Sequence, residues 1–259
     1  MKVLHILDSL NRGGAEMLAL DVCRNARANN LELICAATGG GALEAEFAAS
    51  GVEFIRFQRR LPVDLKLAGQ LRRLITKRGI QIVHTHQAVE ALHAHIATRG
   101  LRTRQVLSFH LCAADAKNRR ALKFLTPRMA ANIAVSRDLL DCLHAQAHLD
   151  TSRNFHVIYN GVDDKRLQPT GQDLRAELSL AQNDLLLGMV GNFYADGRKD
   201  QLTVCRALPQ LFAVVPNAHF VFVGAHAHEA PEAFAECVRV CREQGIAERV
   251  HFLGQRADI

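Results

Sequence analysis

The stretch MKVLHILDSLNRGGAEMLALDVCRNA, residues 1–26, decides the fold class of this chain. Aliphatic residues up to Leu7 give the pattern of a buried strand; polar residues and the pair Gly13 and Gly14 follow, and apolar residues then recur at helical spacing. Many nucleotide-handling domains begin with a strand, a glycine turn and a helix in this order. The stretch is not the dinucleotide-binding fingerprint, because it lacks a third glycine at the right spacing and the acidic residue expected further along. The two glycines are therefore expected to let some other group come close to the backbone.

The same alternation of strand and helix patterns continues along the chain. It predicts an α/β fold of doubly wound parallel sheets, with ligands bound at the carboxyl ends of the strands. The predicted strands are Lys2–Leu7, Leu31–Ala36, Glu53–Phe57, Ile82–Thr85, Gln105–Phe109, Asn132–Val135 and Phe155–Ile158, followed by Gly188–Gly191, His219–Val223 and Val250–Leu253.

A polar stretch after VIYNGVDD separates two rounds of this alternation. We therefore predict a first domain at residues 1–163 and a second at residues 164–259. A Rossmann-like domain needs about five or six strands. The second domain offers fewer, so it is expected to be incomplete.

The composition is that of a globular protein of 259 residues, of which 49% are hydrophobic. No run approaches the roughly 18 apolar residues that span a bilayer, and the N-terminus leads into a strand pattern without the layout of a signal peptide. The sequence is therefore interpreted as cytoplasmic. Its seven cysteines are scattered and include no C-x-x-C pair, which favours reduced, buried thiols over disulfides or a zinc site.

Positive charge is concentrated in the first domain. Residues 1–163 contain 22 Lys and Arg against 14 Asp and Glu, whereas residues 164–259 contain 10 against 12. Basic residues cluster on the predicted helix Leu65–Arg78 and again at residues 117–128. Such clusters are typical of a solvated helix face, and they also fit contact with anionic lipid head groups or an acidic acceptor. Nucleic acid is disfavoured, because no aromatic residues are interleaved with the basic ones for base stacking.

Eight segments taken together resemble the retaining glycosyltransferases of family 4. The resemblance implies the GT-B fold, in which two Rossmann-like domains of doubly wound parallel sheet face each other. It implies that residues 1–163 bind the acceptor and that residues 164–259 are the front part of the nucleotide-sugar domain. The later segment, where relatives carry two glutamates separated by seven residues, is missing. The segments are RGGAE, IVHTHQ, SFHL, AVSRDL, VIYNGVD, GMVGNFYADGRKDQ, FVFVGAH and RVHFLGQRADI.

The resemblance assigns donor-binding residues in both domains. Gly13 and Gly14 would lie against the donor diphosphate and the acceptor, since glycine permits close approach and the start of a helix favours an anion. Lys199 would neutralise charge on the leaving diphosphate, a task for which the family uses an arginine and a lysine. Asn192 stands where relatives often have the arginine, so Arg198 is expected to supply the second charge, unless it is an ordinary exposed arginine. The donor and phosphate-binding set is Gly13, Gly14, Asn192, Arg198, Lys199 and Gly224.

The resemblance also assigns residues to catalysis and to the acceptor cleft. His110 follows a predicted strand, at the position where the family has a histidine near the acceptor and the reacting sugar. His110 is expected to hydrogen-bond a sugar hydroxyl or to position the acceptor. Together with Lys199 it makes up the predicted catalytic set. Ser136 is interpreted first as the cap of the next helix, close to the cleft. The acceptor and cleft set is Glu16, His86 and Ser136.

Two loops have both structural and functional interpretations. Asn160, Gly161 and Asp163 are interpreted as the hinge between the domains, because glycine permits an unusual backbone angle and Asn or Asp closes local turns. Gly224 resembles the family's glycine near the nucleotide base or ribose, and a strand-to-loop turn explains it almost as well.

No metal or cofactor is expected, because such enzymes use the nucleotide diphosphate sugar as co-substrate without a metal. His84 and His86 lie two apart on one strand face and could bind zinc with His93 or His95. Histidines whose ring nitrogens are hydrogen-bonded to backbone groups are more common than histidines that bind a metal. Nucleophile elbows, Walker loops, the H-E-x-x-H motif and paired carboxylates of glycoside hydrolases are not found.

The sequence therefore predicts a cytoplasmic, metal-independent, retaining glycosyltransferase of hexosyltransferase type. It would move a sugar from a nucleotide diphosphate sugar to a hydroxyl of a cell-surface glycan or lipid-linked precursor, as in lipopolysaccharide or polysaccharide biosynthesis, at the inner face of the membrane. Two alternatives stay open. One is a truncated module that binds an acceptor or membrane without catalysis; the weaker one is a GT-B sugar-nucleotide epimerase.

Overall fold

The opening strand pattern forms the inner strand β1 (Lys2–Leu7), which is buried from Val3 onward. The computed structural model describes residues 1–112, 116–164, 171–195, 199–225, 231–256 and 258. The chain divides into two units, Met1–Arg166 and Leu167–Ile259. Each unit is built on a parallel sheet of its own, as the alternating pattern predicts.

The first unit contains a seven-stranded, all-parallel sheet. Its other strands are β2 (Glu32–Ala37), β3 (Glu53–Arg56), β4 (Ile82–Thr85), β5 (Arg104–Phe109), β6 (Ala131–Ala134) and β7 (Phe155–Val157). The order in the sheet is β3-β2-β1-β4-β5-β6-β7. Because the order reverses between β1 and β4, a crevice is expected there at the carboxyl ends of the strands, where doubly wound sheets bind ligands. The predicted α/β class is confirmed, and every predicted strand of this unit agrees within one residue at either end.

Helices follow the strands of the first unit. The longest of them, α3, begins after Asp64, whose carboxylate accepts hydrogen bonds from two backbone N–H groups at 3.0 Å. It ends at Gly79, where φ is +64°. No helix in the described part of the chain is long and apolar enough to cross a membrane. The helices are α1 (Gly14–Asn25), α2 (Glu44–Ala48), α3 (Leu65–Arg78), α4 (Ala88–Thr98), α5 (Ala116–Leu125) and α6 (Arg137–Ala145).

The loops after β1 and β2 pack backbone against backbone. Leu10 donates from its N–H to the Gly40 carbonyl at 3.1 Å and accepts from Leu43 at 2.9 Å. A Cβ atom built on Gly39 would overlap the Asp8 carbonyl oxygen, and one on Gly41 would overlap the Leu10 backbone. These two glycines, which the sequence pattern does not single out, are thus the ones that this close approach requires.

The second unit contains a three-stranded parallel sheet around an aromatic core. Phe193, Phe222 and Phe252 lie with ring centroids 5.2 to 6.3 Å apart. Three strands are fewer than a Rossmann-like domain needs, which agrees with the predicted incomplete second domain. The elements are α7 (Leu174–Glu177), β8 (Leu185–Val190), α8 (Gln201–Val214), β9 (Ala218–Val223), α9 (Pro231–Glu243) and β10 (Val250–Phe252), with the strand order β10-β9-β8.

One disulfide corrects the expectation that all thiols are reduced. Cys112 and Cys142 are bonded across 30 residues of sequence. The bridge joins the loop after β5 to α6, two segments that only the fold brings together, so no local spacing of cysteines could reveal it. The other five cysteines are free and buried, as predicted.

We predict that Gly41→Ala destabilises the chain, because its new Cβ would overlap the Leu10 backbone. The expected loss in the free energy of unfolding is about 1–3 kcal/mol, measured by denaturant unfolding. Gly14→Ala is the matched control, since a Cβ there meets nothing within 4 Å. Equal stability of the two variants would contradict the role given to the loop contact.

Candidate functional site

The carboxyl ends of the strands in the first unit collect most of the residues singled out by sequence. Gly13 and Gly14 lie at the start of α1, after β1. His86 and His110 follow β4 and β5, and Ser136 follows β6. Loops from several separate strands thus supply one edge of the sheet with polar groups, which is the arrangement expected of a doubly wound sheet.

Four imidazoles meet where β1 pairs with β4. His5 lies opposite His84 in the pairing of these strands, and His86 follows on the same face. His5 and His86 contact each other through their Nε2 atoms, and Nδ1 of His86 lies 2.7 Å from Nε2 of His110. Nε2 of His84 lies 2.8 Å from the hydroxyl of Ser108. The predicted catalytic histidine and the predicted cleft histidine are therefore in direct contact.

Burial keeps these imidazoles neutral. Desolvation lowers the pKa of His84 to about 4, and it lowers the pKa of His5 and His86 well below the ordinary value, with repulsion from neighbouring imidazoles acting in the same direction. Desolvation also lowers the pKa of His110. At neutral pH each ring therefore keeps one N–H donor and one lone pair.

His93 and His95, which the sequence analysis considered as zinc partners, do not join His84 and His86. His93 is satisfied by backbone groups: its Nε2 accepts from the Asp64 N–H at 2.8 Å, and its Nδ1 lies 2.7 Å from the Val89 carbonyl. His95 instead packs edge-on against Phe124. The imidazole that joins His84 and His86 is His5, about 80 residues earlier in the chain.

Glu90 is a candidate that the sequence analysis missed, because it occupies an ordinary helix position near the start of α4. The residue is only 1% exposed. Its Oε1 accepts from the Thr38 hydroxyl at 3.0 Å, and Arg59 lies 3.7 Å away. Desolvation, together with the Asp8 carboxylate, raises the pKa of Glu90. Oε2 is buried and accepts no hydrogen bond from the described part of the chain, which leaves an unsatisfied acceptor beneath this edge of the sheet.

The start of α1 is open. A Cβ atom on Gly14 would meet nothing within 4 Å, and one on Gly13 would meet only the flexible carboxylate of Glu16. Gly13 gives the helix no side-chain cap. Glu16 itself accepts a hydrogen bond from Ser9 at 2.6 Å. Packing against described residues does not require glycine at either position. The amides of the first turn are therefore accessible to an anion.

In the second unit, two predicted donor residues tie neighbouring loops together. Oδ1 of Asn192 accepts from the Ala225 N–H at 2.9 Å. A Cβ atom on Gly224 would overlap the Gly191 carbonyl. Gln201, which the sequence analysis did not select, donates to the carbonyls of Gly191 and Asn192 at 3.2 and 3.1 Å. These contacts place the ends of β8 and β9 side by side.

Lys199 is exposed beside these loops, with its methylene carbons over Gly191. Among the described residues no carboxylate forms an ion pair with its ammonium group. Arg198, the expected second charge, lies outside the described residues. The phosphate-binding role of both side chains stays a prediction.

Ser136 and the predicted hinge have local structural roles. The Ser136 hydroxyl accepts from the Leu139 N–H at 3.1 Å, which confirms it as the cap of α6. Asp163 accepts from the Asn25 amide at 2.9 Å. Gly161 does not have a positive φ, so the expectation of an unusual backbone angle there is wrong. The hinge role of Asn160, Gly161 and Asp163 stays a prediction.

The sheet of the first unit, with its polar carboxyl edge, and the smaller sheet of the second define an α/β protein built from two Rossmann-like units. Residues 12–166 match the model of Glycosyltransferase Family 4. This match covers more than half of the chain, so the chain belongs to glycosyltransferase family 4.

Two kinds of relative agree with this assignment. The chain is 23% identical over 207 residues to N-acetyl-alpha-D-glucosaminyl L-malate synthase of Bacillus anthracis, a match covering 76% of this chain and 52% of that protein. It thus spans about half the length of this curated relative. A glycosyltransferase from Rickettsia africae ESF-5 is 17% identical, with a TM-score of 0.81 over 100% of this chain and 69% of that one. Anabaena HepE in complex with UDP-glucose is 22% identical, with a TM-score of 0.80 over 100% and 70%. These likenesses confirm the predicted GT-B fold.

We predict that acid destabilises the first unit. The buried histidines have lower pKa values folded than the unfolded value of about 6.5, so below that pH the unfolded chain binds more protons. The free energy of unfolding should therefore fall from about pH 6.5 down to the folded pKa, about 4 for His84. The His84 shift alone corresponds to about 3 kcal/mol.

Denaturant unfolding at a series of pH values measures this effect. His84→Gln should show a shallower decline, whereas His156→Gln, at an exposed position on β7, should decline as the unmodified chain does. An equally steep decline in His84→Gln would contradict the assignment.

Proposed function

We propose that this chain is the acceptor domain and part of the donor domain of a retaining glycosyltransferase. The enzyme would move a sugar from a nucleotide diphosphate sugar to a hydroxyl of a cell-surface glycan or lipid-linked precursor. The observation that carries the proposal is the convergence, at one edge of the seven-stranded sheet, of an open helix start, the His86–His110 pair and the buried Glu90. Family membership supports the choice of group transfer.

Each unit, considered by itself, carries one group that can bind the negative charge of a donor. The first unit offers the amides at the start of α1, where Gly13 and Gly14 leave room for close approach. The second offers the exposed ammonium of Lys199. HepE of Anabaena, which shares the fold, is described in complex with UDP-glucose. That complex supports a uridine diphosphate sugar as the donor class.

On the acceptor side, His110 and Glu90 are the groups suited to recognise hydroxyls. His110 is neutral, so a ring nitrogen can accept or donate a hydrogen bond to a sugar hydroxyl. The unsatisfied Oε2 of Glu90 could accept one only after a local rearrangement that exposes it, because the atom is buried.

The proposed reaction uses these groups and no metal ion. The bond between the anomeric carbon and the diphosphate oxygen breaks, and Lys199 offsets the charge that develops on the leaving diphosphate. The acceptor oxygen bonds to the anomeric carbon from the same face, and its proton passes to the departing phosphate oxygen. The anomeric configuration is retained, and no protein nucleophile is needed. His110 positions the acceptor hydroxyl for this attack.

A membrane surface is the proposed location of the acceptor. Arg120, Lys123 and Phe124 are exposed on α5, and Leu111 is exposed in the preceding loop. Basic residues beside exposed apolar ones are typical of a surface that contacts anionic head groups. The protein is therefore proposed to act at the inner face of the membrane.

We predict that Lys199→Ala weakens binding of UDP about tenfold or more, because a charge-assisted contact contributes about 1.5–3 kcal/mol. Calorimetric titration with UDP, GDP and ADP measures this and identifies the base. Arg206→Ala, which removes another exposed cation of the second unit, is the control and should bind as before. Unchanged binding by a folded Lys199→Ala chain would remove Lys199 from the site.

We predict that the pair Arg120→Glu and Lys123→Glu abolishes binding to phosphatidylglycerol vesicles, because both charges of the proposed surface are reversed. Cosedimentation with these vesicles and with neutral phosphatidylcholine vesicles measures the effect. Arg206→Glu together with Arg242→Glu, at exposed positions of the second unit, changes the net charge equally and should retain binding. Equal loss in both variants would indicate attraction by net charge without a docking surface.

A second candidate is an acceptor-binding or membrane-binding module without catalysis. The exposed basic and apolar side chains on and before α5 are the observation that favours it. The titration above separates the two functions: vesicle or acceptor binding without any nucleotide binding would support the module. A GT-B epimerase is the weaker alternative, and interconversion of a sugar nucleotide in the absence of acceptor would support it.

A further inference from the structure

We propose that His5, His84 and His86 form a binding site for a divalent transition metal ion such as Zn²⁺, on the face of the sheet where β1 meets β4. One ligand nitrogen from each ring lies within 4.8 Å of those from the other two. This site is distinct from the diphosphate-binding role proposed for Lys199, and it does not depend on the proposed transfer reaction.

The backbone fixes the arrangement of the three rings. His5 and His84 are opposite each other in the parallel pairing of β1 and β4. His86 projects from the same face, because side chains alternate along a strand. Two adjacent strands thus present three imidazoles as a triangle. In a tetrahedral site with Zn–N distances of about 2.0–2.1 Å, ligand nitrogens lie about 3.3–3.4 Å apart, so binding requires His5 and His86 to separate from their direct contact while all three rings turn toward one centre.

The chemistry of the donors selects the class of metal. All three ligands are imidazoles, each of which has a nitrogen lone pair for a metal when the ring is neutral. Imidazole ligands suit Zn²⁺, Co²⁺, Ni²⁺ and Cu²⁺, whereas Mg²⁺ and Ca²⁺ require oxygen ligands. His5 and His86 face each other through Nε2, where only one of two neutral rings can supply a hydrogen. A metal ion there would be bound by the lone pairs of both rings in place of that hydrogen bond.

The neighbours of the triangle match the surroundings of a histidine metal site. With a metal on Nε2 of His86, the ring hydrogen resides on Nδ1 and is donated to Nε2 of His110, 2.7 Å away. A metal-bound histidine usually donates a hydrogen bond from the N–H of its second ring nitrogen to a neighbouring acceptor. Ser108, 2.8 Å from His84, can turn its hydroxyl to accept from or donate to the bound ring. Metal loading would therefore set which nitrogen of His110 carries the hydrogen.

The test is calorimetric titration of the EDTA-treated and desalted chain with ZnCl₂, and with CoCl₂ monitored by visible absorption. We expect one Zn²⁺ per chain and the absorption bands of tetrahedral Co²⁺. His84→Gln and His86→Gln should each bind about tenfold more weakly or worse. Exposed His156→Ala should bind as before, and so should the double variant His226→Ala and His228→Ala, which removes a separate H-x-H pair.

Folding of each variant is checked by circular dichroism in EDTA. If the variants of the triangle do not fold, imidazole nitrogen NMR of the unmodified chain decides. Zn²⁺ should then shift the signals of His5, His84 and His86 and place the hydrogen of His110 on Nδ1. The proposal is overturned if the folded chain shows no saturable Zn²⁺ binding, or if binding survives in the triangle variants and disappears with His226 and His228. UDP binding, measured separately, tests the transferase proposal whatever the metal result.

Discussion

The pairing of β1 with β2 on one side and β4 on the other is the constraint on which the first unit depends. It makes β1 an inner strand buried on both faces, and it places the reversal of strand order beside its carboxyl end. The loop after β1 must then pass close to the loop after β2, where only glycine fits at positions 39 and 41. The open start of α1, the histidines and Glu90 are positioned by this arrangement.

Desolvation shifts the pKa values of buried groups at this edge in two directions. It lowers the pKa values of the buried histidines and raises that of Glu90, and both shifts favour neutral groups. The buried histidines therefore offer uncharged hydrogen-bonding groups at this edge, and Arg59 lies beside the Glu90 carboxyl. Neutral, directional groups suit the recognition of sugar hydroxyls, and the exposed ammonium of Lys199 suits a phosphate.

The sequence predicted the strands, the parallel architecture and the family because these depend on local periodicity and on short segments in a fixed order. Lys2–Leu7 and Ile82–Thr85 were located to the residue. The sequence did not reveal contacts made only by folding. His5 and His86 are separated by 81 positions, and Cys112 and Cys142 by 30. Glu90 has the spacing of any polar helix residue, and only the structure shows that its carboxylate is buried.

The bridge between Cys112 and Cys142 makes the segment that contains α5 a covalently closed ring. In the chain-entropy description, closing a ring of this size stabilises the folded state by about 3–4 kcal/mol, because the open alternatives are removed. The ring holds the loop after β5 covalently to α6, so a thiol-reducing environment would remove this contribution to the stability of the first unit.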